Sequence, residues 1–137
     1  MVVIYTKDIP RVQLAPPNPR EYRVALHPDI NGSDKATVLF VTFEPKGSTS
    51  LHTHEGDEII LVVKGRGNAI EIVNGKEKVT PVSGGSLIYA HAGVEHQVRN
   101  SSKSKMTIYC VFVPPMKPSA QAQPAFDKAK EYFSKRK

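Results

Sequence analysis

Between Ala36 and Val113 the chain is cut into short runs rich in β-branched and aromatic residues, each closed by glycine, proline or a polar turn. The runs are Ala36–Phe43, Glu58–Val63, Asn68–Val73, Lys76–Thr80, Leu87–Ala90, Glu95–Arg99 and Met106–Val113. None shows the 3.6-residue period of a helix, and no helical segment is interleaved between them. Strands of this length and spacing pack as an all-β barrel or sandwich. Asn74-Gly75 sits between two runs and is a strong two-residue hairpin signal.

Parity along each run assigns faces, because alternate residues of a strand point to opposite sides. Glu58, Ile60 and Val62 are expected to line the interior, with Ile59, Leu61 and Val63 outside. Val79 is expected inward and its neighbouring lysines outward. Ala36–Phe43 is apolar at both parities, which predicts burial on both faces. The outward apolar rows of Ala36–Phe43 and Glu58–Val63 predict a homodimer.

The flanks differ. Pro10, Pro16, Pro17, Pro19 and Pro28 fall within residues 1–34 and forbid long helices and central strands there. This segment is expected to be an arm on the barrel, with short strands at Met1–Tyr5 and Glu21–Leu26 and a turn at Asn31–Asp34. The barrel occupies 35–113. Residues 114–137 begin with Pro114-Pro115 and continue through Pro118 and Pro124. Phe126, Ala129 and Phe133 then lie on one face of a short helix over 125–133, packed on the barrel, with Lys135–Lys137 fraying beyond.

The net charge is +6, of which the last twelve residues carry +3. What remains is a mild bias toward anionic ligands. No helix-turn-helix, RNA-binding or zinc-finger pattern is present, so nucleic acid is not an expected partner. No run is long enough to span a bilayer and nothing reads as a signal peptide, so no membrane association and a cytoplasmic location are expected. The single cysteine, Cys110, rules out an internal disulfide framework and reads as a small core residue.

Chemistry concentrates in two stretches, Gly47–Gly65 and Gly85–Asn100. On an extended backbone His52 and His54 project side by side and can offer two nitrogens to one ion. Glu55-Gly56-Asp57 reads as a turn, and a hairpin there returns Glu58 to the histidines. From the residues alone, any of Glu55, Asp57 and Glu58 is a candidate carboxylate. His96 is a fourth ligand from a distant strand. Three nitrogens and one oxygen suit iron, manganese, zinc, nickel, cobalt or copper rather than calcium or magnesium.

The two stretches together resemble the cupin family. Its first motif is matched by Gly47, His52, His54, Glu58 and Gly65, with the gap from Gly47 to His52 one residue shorter than usual. Its second is matched by Gly85, Gly93, His96 and Asn100, with His91 where proline is usual. The resemblance covers about residues 35–113. It implies a jelly-roll, or double-stranded β-helix, barrel that holds one divalent transition metal ion on His52, His54, Glu58 and His96, with iron or manganese favoured. His91 is either an additional acid–base group or, the preferred reading, an exposed turn residue.

A ligand set of this kind leaves coordination positions open for a small-molecule substrate or O₂. The resemblance allows an oxygenase or decarboxylase acting on a small oxygenated organic substrate, which is the favoured expectation. It also allows a non-redox isomerase or lyase, or a binding protein without turnover. Tyr89, Arg66, Arg99, Tyr109, His91 and Gln97 are the pocket candidates nearest the motifs. Arg99 has the opposite parity to His96 and is expected to point away from the metal, so no inward anion clamp is apparent.

Overall fold

The β-branched runs become nine strands in two facing antiparallel sheets, and the computed structural model describes residues 1–136. The strands are β1 (Val12–Gln13), β2 (Glu21–Leu26), β3 (Thr37–Phe43), β4 (Asp57–Lys64), β5 (Arg66–Val73), β6 (Lys76–Ser83), β7 (Leu87–Ala90), β8 (His96–Asn100) and β9 (Met106–Val113). One sheet has the order β1-β2-β3-β9-β4-β7 and the other β6-β5-β8. Between them lies one apolar core that includes Leu39, Val41, Phe43, Ile60, Val62 and Ile108. The fold is a jelly roll of two open sheets rather than a closed barrel. Two helices complete it: α1 (Pro28–Asn31) and α2 (Gln123–Ser134). No helix among the described residues is long and apolar enough to cross a membrane.

Parity is kept in the central strands of the large sheet. In β4, Glu58, Ile60 and Val62 are buried and the alternate residues are less so. In β3 burial alternates strictly. It loosens at the edge of the small sheet. Val79 pairs with Ile70 and shares its face, yet it is 50% exposed, because β6 is an edge strand left open along most of its length. The Asn74-Gly75 turn joining β5 to β6 has positive φ at both residues, which a two-residue hairpin of this hand requires.

The N-terminal arm departs from expectation in two ways. Met1–Tyr5 forms no strand, since nothing within the chain pairs with it, and Val2 and Val3 stand exposed beside a single 3-10 turn at Thr6–Asp8. β2 is no surface appendage: it pairs with β3 and extends the large sheet. The arm also carries the short helix α1. Its N-cap is His27, whose Nδ1 accepts from the Asp29 amide (3.2 Å), with Pro28 at the first helical position. The ring's other nitrogen therefore carries the proton and donates to the Met116 carbonyl (3.1 Å), tying the arm to the C-terminal segment.

The C-terminal helix buries Ala125, Phe126 and Ala129. It packs on β1, β2 and α1, so its support is the arm rather than the central strands. The Phe126 ring meets the His27 ring edge-on at 5.1 Å. Lys137 lies outside the described residues.

Two motif residues do structural work. Gly65 has φ +96°, and a Cβ there would lie 2.8 Å from the Lys105 carbonyl oxygen, so the tight step from β4 to β5 admits only glycine. Asn100 is buried, and its side-chain amide donates to the carbonyls of Phe43, Glu44 and Ser104 while its oxygen accepts from the Ser102 amide. It fastens the loop after β8 to the end of β3. Asn100→Ala is expected to cost about 1–3 kcal/mol, since it removes a set of hydrogen bonds made by a buried amide and leaves the buried Phe43 carbonyl without that donor. Urea denaturation measures this; an unchanged midpoint would remove the role.

Candidate metal centre

The site is assembled where the chain passes from one sheet to the other. Residues 47–52 run antiparallel to β8: the Asn100 amide donates to Gly47, and His52 and His96 exchange backbone hydrogen bonds of 3.0 and 2.9 Å. His52 therefore sits at an isolated bridge rather than within a regular strand. The expected hairpin at Glu55–Asp57 is instead a crossing. The chain leaves β8's side at His54 and enters the large sheet at Asp57. This change of sheet brings Glu58 under the histidines.

The ligand atoms of His52, His54, Glu58 and His96 all lie within 4.8 Å of one another. Atoms bound at about 2.1 Å to a single ion are at most roughly 4.2 Å apart, so modest side-chain adjustment closes the set on one centre. Glu55, the first of the other candidate carboxylates, is exposed. Asp57 accepts hydrogen bonds from the Tyr89 hydroxyl and the Ala92 amide, away from the cluster.

Hydrogen bonding fixes the rings in a ligating tautomer. His52 Nδ1 donates to the Ser50 carbonyl (2.6 Å) and His96 Nδ1 donates to the Val94 carbonyl (2.8 Å), in each case two residues back. Both Nε2 atoms are thereby left to face the cluster. The His96 Nε2 lone pair then meets Glu58 Oε1 at 2.9 Å, an acceptor against an acceptor unless something positive lies between them. A proton on Nε2 resolves this, and so does a metal ion. His54 Nε2 lies 3.3 Å from the same oxygen but off the line of a hydrogen bond, and it is buried without a partner. The four residues thus fit a cation.

Electrostatics agree with this geometry. Burial works to raise the Glu58 carboxyl, but the imidazoles of His54 and His96 outweigh it and hold the group down to about 2. Burial lowers the His52 ring, which keeps it neutral and able to ligate. For His96, burial pulls the ring down, but the Glu58 carboxylate and the Val94 carbonyl together raise it.

The cluster lies in the wall of a half-enclosed cavity of about 280 Å³, with His52, His54 and Glu58 on one side. Phe112, Leu39 and Val41 give that cavity an apolar lining. Cys110, the expected core residue, is buried and also reaches this space; burial, helped by the Glu58 carboxylate, pushes its thiol well up, so it stays protonated. His96 faces a second space of about 210 Å³ between the sheets.

Most pocket candidates near the motifs lie elsewhere. His91 is exposed and stacks near Tyr89, with ring centroids 4.7 Å apart. Arg66 is exposed at the β4–β5 end, and Arg99 pairs with Glu77 on the surface. Tyr109 packs on Phe40 on the outer face. Gln97, like Tyr89, lines the second space beside His96, and its amide donates to the Thr49 carbonyl in the segment leading to His52. The residue the motifs did not reveal is Arg20. It is 7% exposed and lines the metal-site cavity, together with Tyr22. A signal was present: Arg20 has the parity of the inward residues Tyr22 and Val24.

Comparison with solved structures places the fold among known ones. A predicted oxalate decarboxylase from Thermotoga maritima is 20% identical, with 82% of this chain and 99% of that one covered at a TM-score of 0.71. A variant of the Bacillus subtilis oxalate decarboxylase is 15% identical, covering 84% of this chain and 30% of that one, with a TM-score of 0.68. Drosophila melanogaster CENP-C, solved bound to CAL1, is 16% identical over 80% of this chain and 84% of that one, with a TM-score of 0.66. At such identities the likeness establishes fold alone. No curated protein sequence matches the chain. The family model described as a cupin domain matches residues 39–112, more than half of the 137, and spans both stretches that build the site; the chain belongs to the cupin family.

Proposed function

We propose that the chain is a metal-dependent enzyme acting on a small oxygenated organic acid, as an oxygenase or a decarboxylase. The observation that carries this reading is the convergence of three imidazoles and one buried carboxylate on a single point in a cavity wall. His52, His54, Glu58 and His96 would hold one divalent transition ion, with iron or manganese favoured. When bound, such an ion supplies Lewis-acid polarisation of substrate oxygens or an electron route to O₂.

The chain's own residues do the rest. The Ser50 and Val94 carbonyls orient two of the rings. Phe112 and Leu39 keep water from one side of the cavity, and its volume of about 280 Å³ limits the substrate to a small molecule. The likeness in fold to a predicted oxalate decarboxylase and to the Bacillus subtilis oxalate decarboxylase is in line with an acid substrate.

The test is reconstitution with iron or manganese, followed by incubation with small keto and hydroxy acids under air and under argon. Oxygen uptake or carbon dioxide release is expected. Turnover under argon without carbon dioxide release would replace this reading with a non-redox isomerase or lyase. Saturable binding without turnover would make the chain a binding protein.

The proposed homodimer forms through the outward apolar rows of Ala36–Phe43 and Glu58–Val63; exposed Leu61 and Val63 on β4, with Leu87 of β7 opposite Leu61, support it. Light scattering at micromolar concentration is expected to give twice the chain mass, and a monomeric mass would remove the proposal.

A further inference from the structure

We infer that Arg20, backed by Tyr22, is the anchor for a substrate carboxylate, holding the other end of the molecule toward His52, His54 and Glu58. This rests on the metal-site reading for where the reacting end goes, but not for the anchor itself.

Arg20 is a buried cation without a counter-ion. Among the described residues no carboxylate forms an ion pair with it, although Arg11, Arg99 and several lysines on the surface are paired. Its Nη1 donates to the Asn18 carbonyl (2.7 Å) and its Nη2 makes a long contact to the Tyr22 hydroxyl (3.3 Å). Its Nε is buried with no partner. A guanidinium that is taken out of water and matched by two neutral oxygens and the Tyr22 ring face at 5.2 Å, with no anion, is costly to keep, and an anion in the adjoining cavity offsets that cost.

The chemistry of the anion follows from the donors. Guanidinium presents a planar fork that fits a carboxylate in two parallel bonds. The Tyr22 hydroxyl accepts from Arg20, which leaves its own hydrogen free to donate. Burial raises this phenol despite the Arg20 charge beside it, so the hydrogen is retained. Both residues line the same cavity as His52, His54 and Glu58, so one small molecule can reach the anchor and the metal ligands together. Lys117 lies exposed on the cavity's lining and adds positive potential there.

Malonate is the probe, with its neutral dimethyl ester and inorganic phosphate as comparisons, titrated calorimetrically into metal-loaded and metal-stripped protein. Malonate is expected to bind both forms and the ester neither. Arg20→Met is expected to weaken malonate by about 10- to 100-fold, the loss of a hydrogen-bonded charge pair, with metal stoichiometry unchanged. Arg20→Lys, which keeps the charge but not the fork, is expected to fall between, and it serves as the test if Arg20→Met does not fold. Equal malonate affinity in the wild type and in a folded Arg20 variant would overturn the assignment. So would absence of malonate binding to the wild type, or phosphate binding in its place. A chain that binds malonate through Arg20 yet takes up no metal would remove the metal-site reading and leave the anchor standing.

Discussion

His54→Ala is expected to strip the chain of bound metal while leaving it folded. Elemental analysis should show metal falling from about one ion per chain to a trace, with affinity reduced by more than about 100-fold, the upper end of what losing even an outer-sphere partner costs. The reason lies in what His54 does not do. It sits on the crossing between sheets, outside any ladder, and its buried Nε2 satisfies nothing in the protein. Its ring meets Phe112 (5.0 Å) and His52 (4.4 Å) edge-on and His96 at 5.5 Å, so truncation removes a ligand and these ring contacts but no hydrogen bond that holds the fold. Glu58 keeps His96 as its partner. His91→Ala is the matched control: it removes an exposed histidine and should leave metal content unchanged. Full metal retention in His54→Ala would sink the ligand assignment.

Gly67→Ala is expected to be the most damaging single methyl in the chain. A Cβ at this position would lie 2.1 Å from the Arg99 carbonyl oxygen and 2.8 Å from the Met106 sulfur. The methionine tail can move, but the carbonyl belongs to β8, which pairs with β5 at Gly67↔Asn100. Relief therefore requires the strands to part. A loss of about 3 kcal/mol follows, near the upper end for overpacking. For a domain of this size that is roughly a 10 °C fall in melting temperature. Because β8 also carries His96, metal affinity should drop with stability. Gly75→Ala would meet no neighbouring atom and strains only its own turn, so it separates the effect of crowding from that of glycine removal in general. A melting temperature for Gly67→Ala within a degree or two of wild type would refute the close-approach argument.

The sequence made the central strands legible because each is bounded by turn residues and buried on at least one face. Glu21–Leu26, Leu87–Ala90 and Met106–Val113 appear at the expected limits. Val79 departs from its expected burial because alternation tells which face a residue is on, not whether anything covers that face. The four candidate ligands were legible because ligation needs specific side chains at fixed spacing, and the two motifs supply both. The route that brings them together was not: a hairpin and a change of sheet both need a turn at Glu55-Gly56, and only long-range pairing distinguishes them. Arg20 stayed hidden for a related reason. Proline density described its segment as an arm, and the strand that makes the arm part of the large sheet depends on β3, eleven residues beyond the end of β2.

The stitching between the chain's two ends has a consequence for how such a protein can diversify. Gln121 donates to the carbonyls of Ala15 and Pro17, and α2 lies against β2, so the arm and the tail clasp each other, and both contribute residues to the cavity lining. The candidate ligands come from residues 52–96, whereas Arg20, Tyr22, Lys117 and Ala122, which line the same cavity, come from outside that span. On the proposed function, chemistry and selectivity are thus written on separate stretches of polypeptide. A paired change in the two termini can redraw which molecule is admitted without disturbing the machinery beneath, and a chimera that exchanges both ends together is the natural unit for transplanting one protein's preference onto another's reaction.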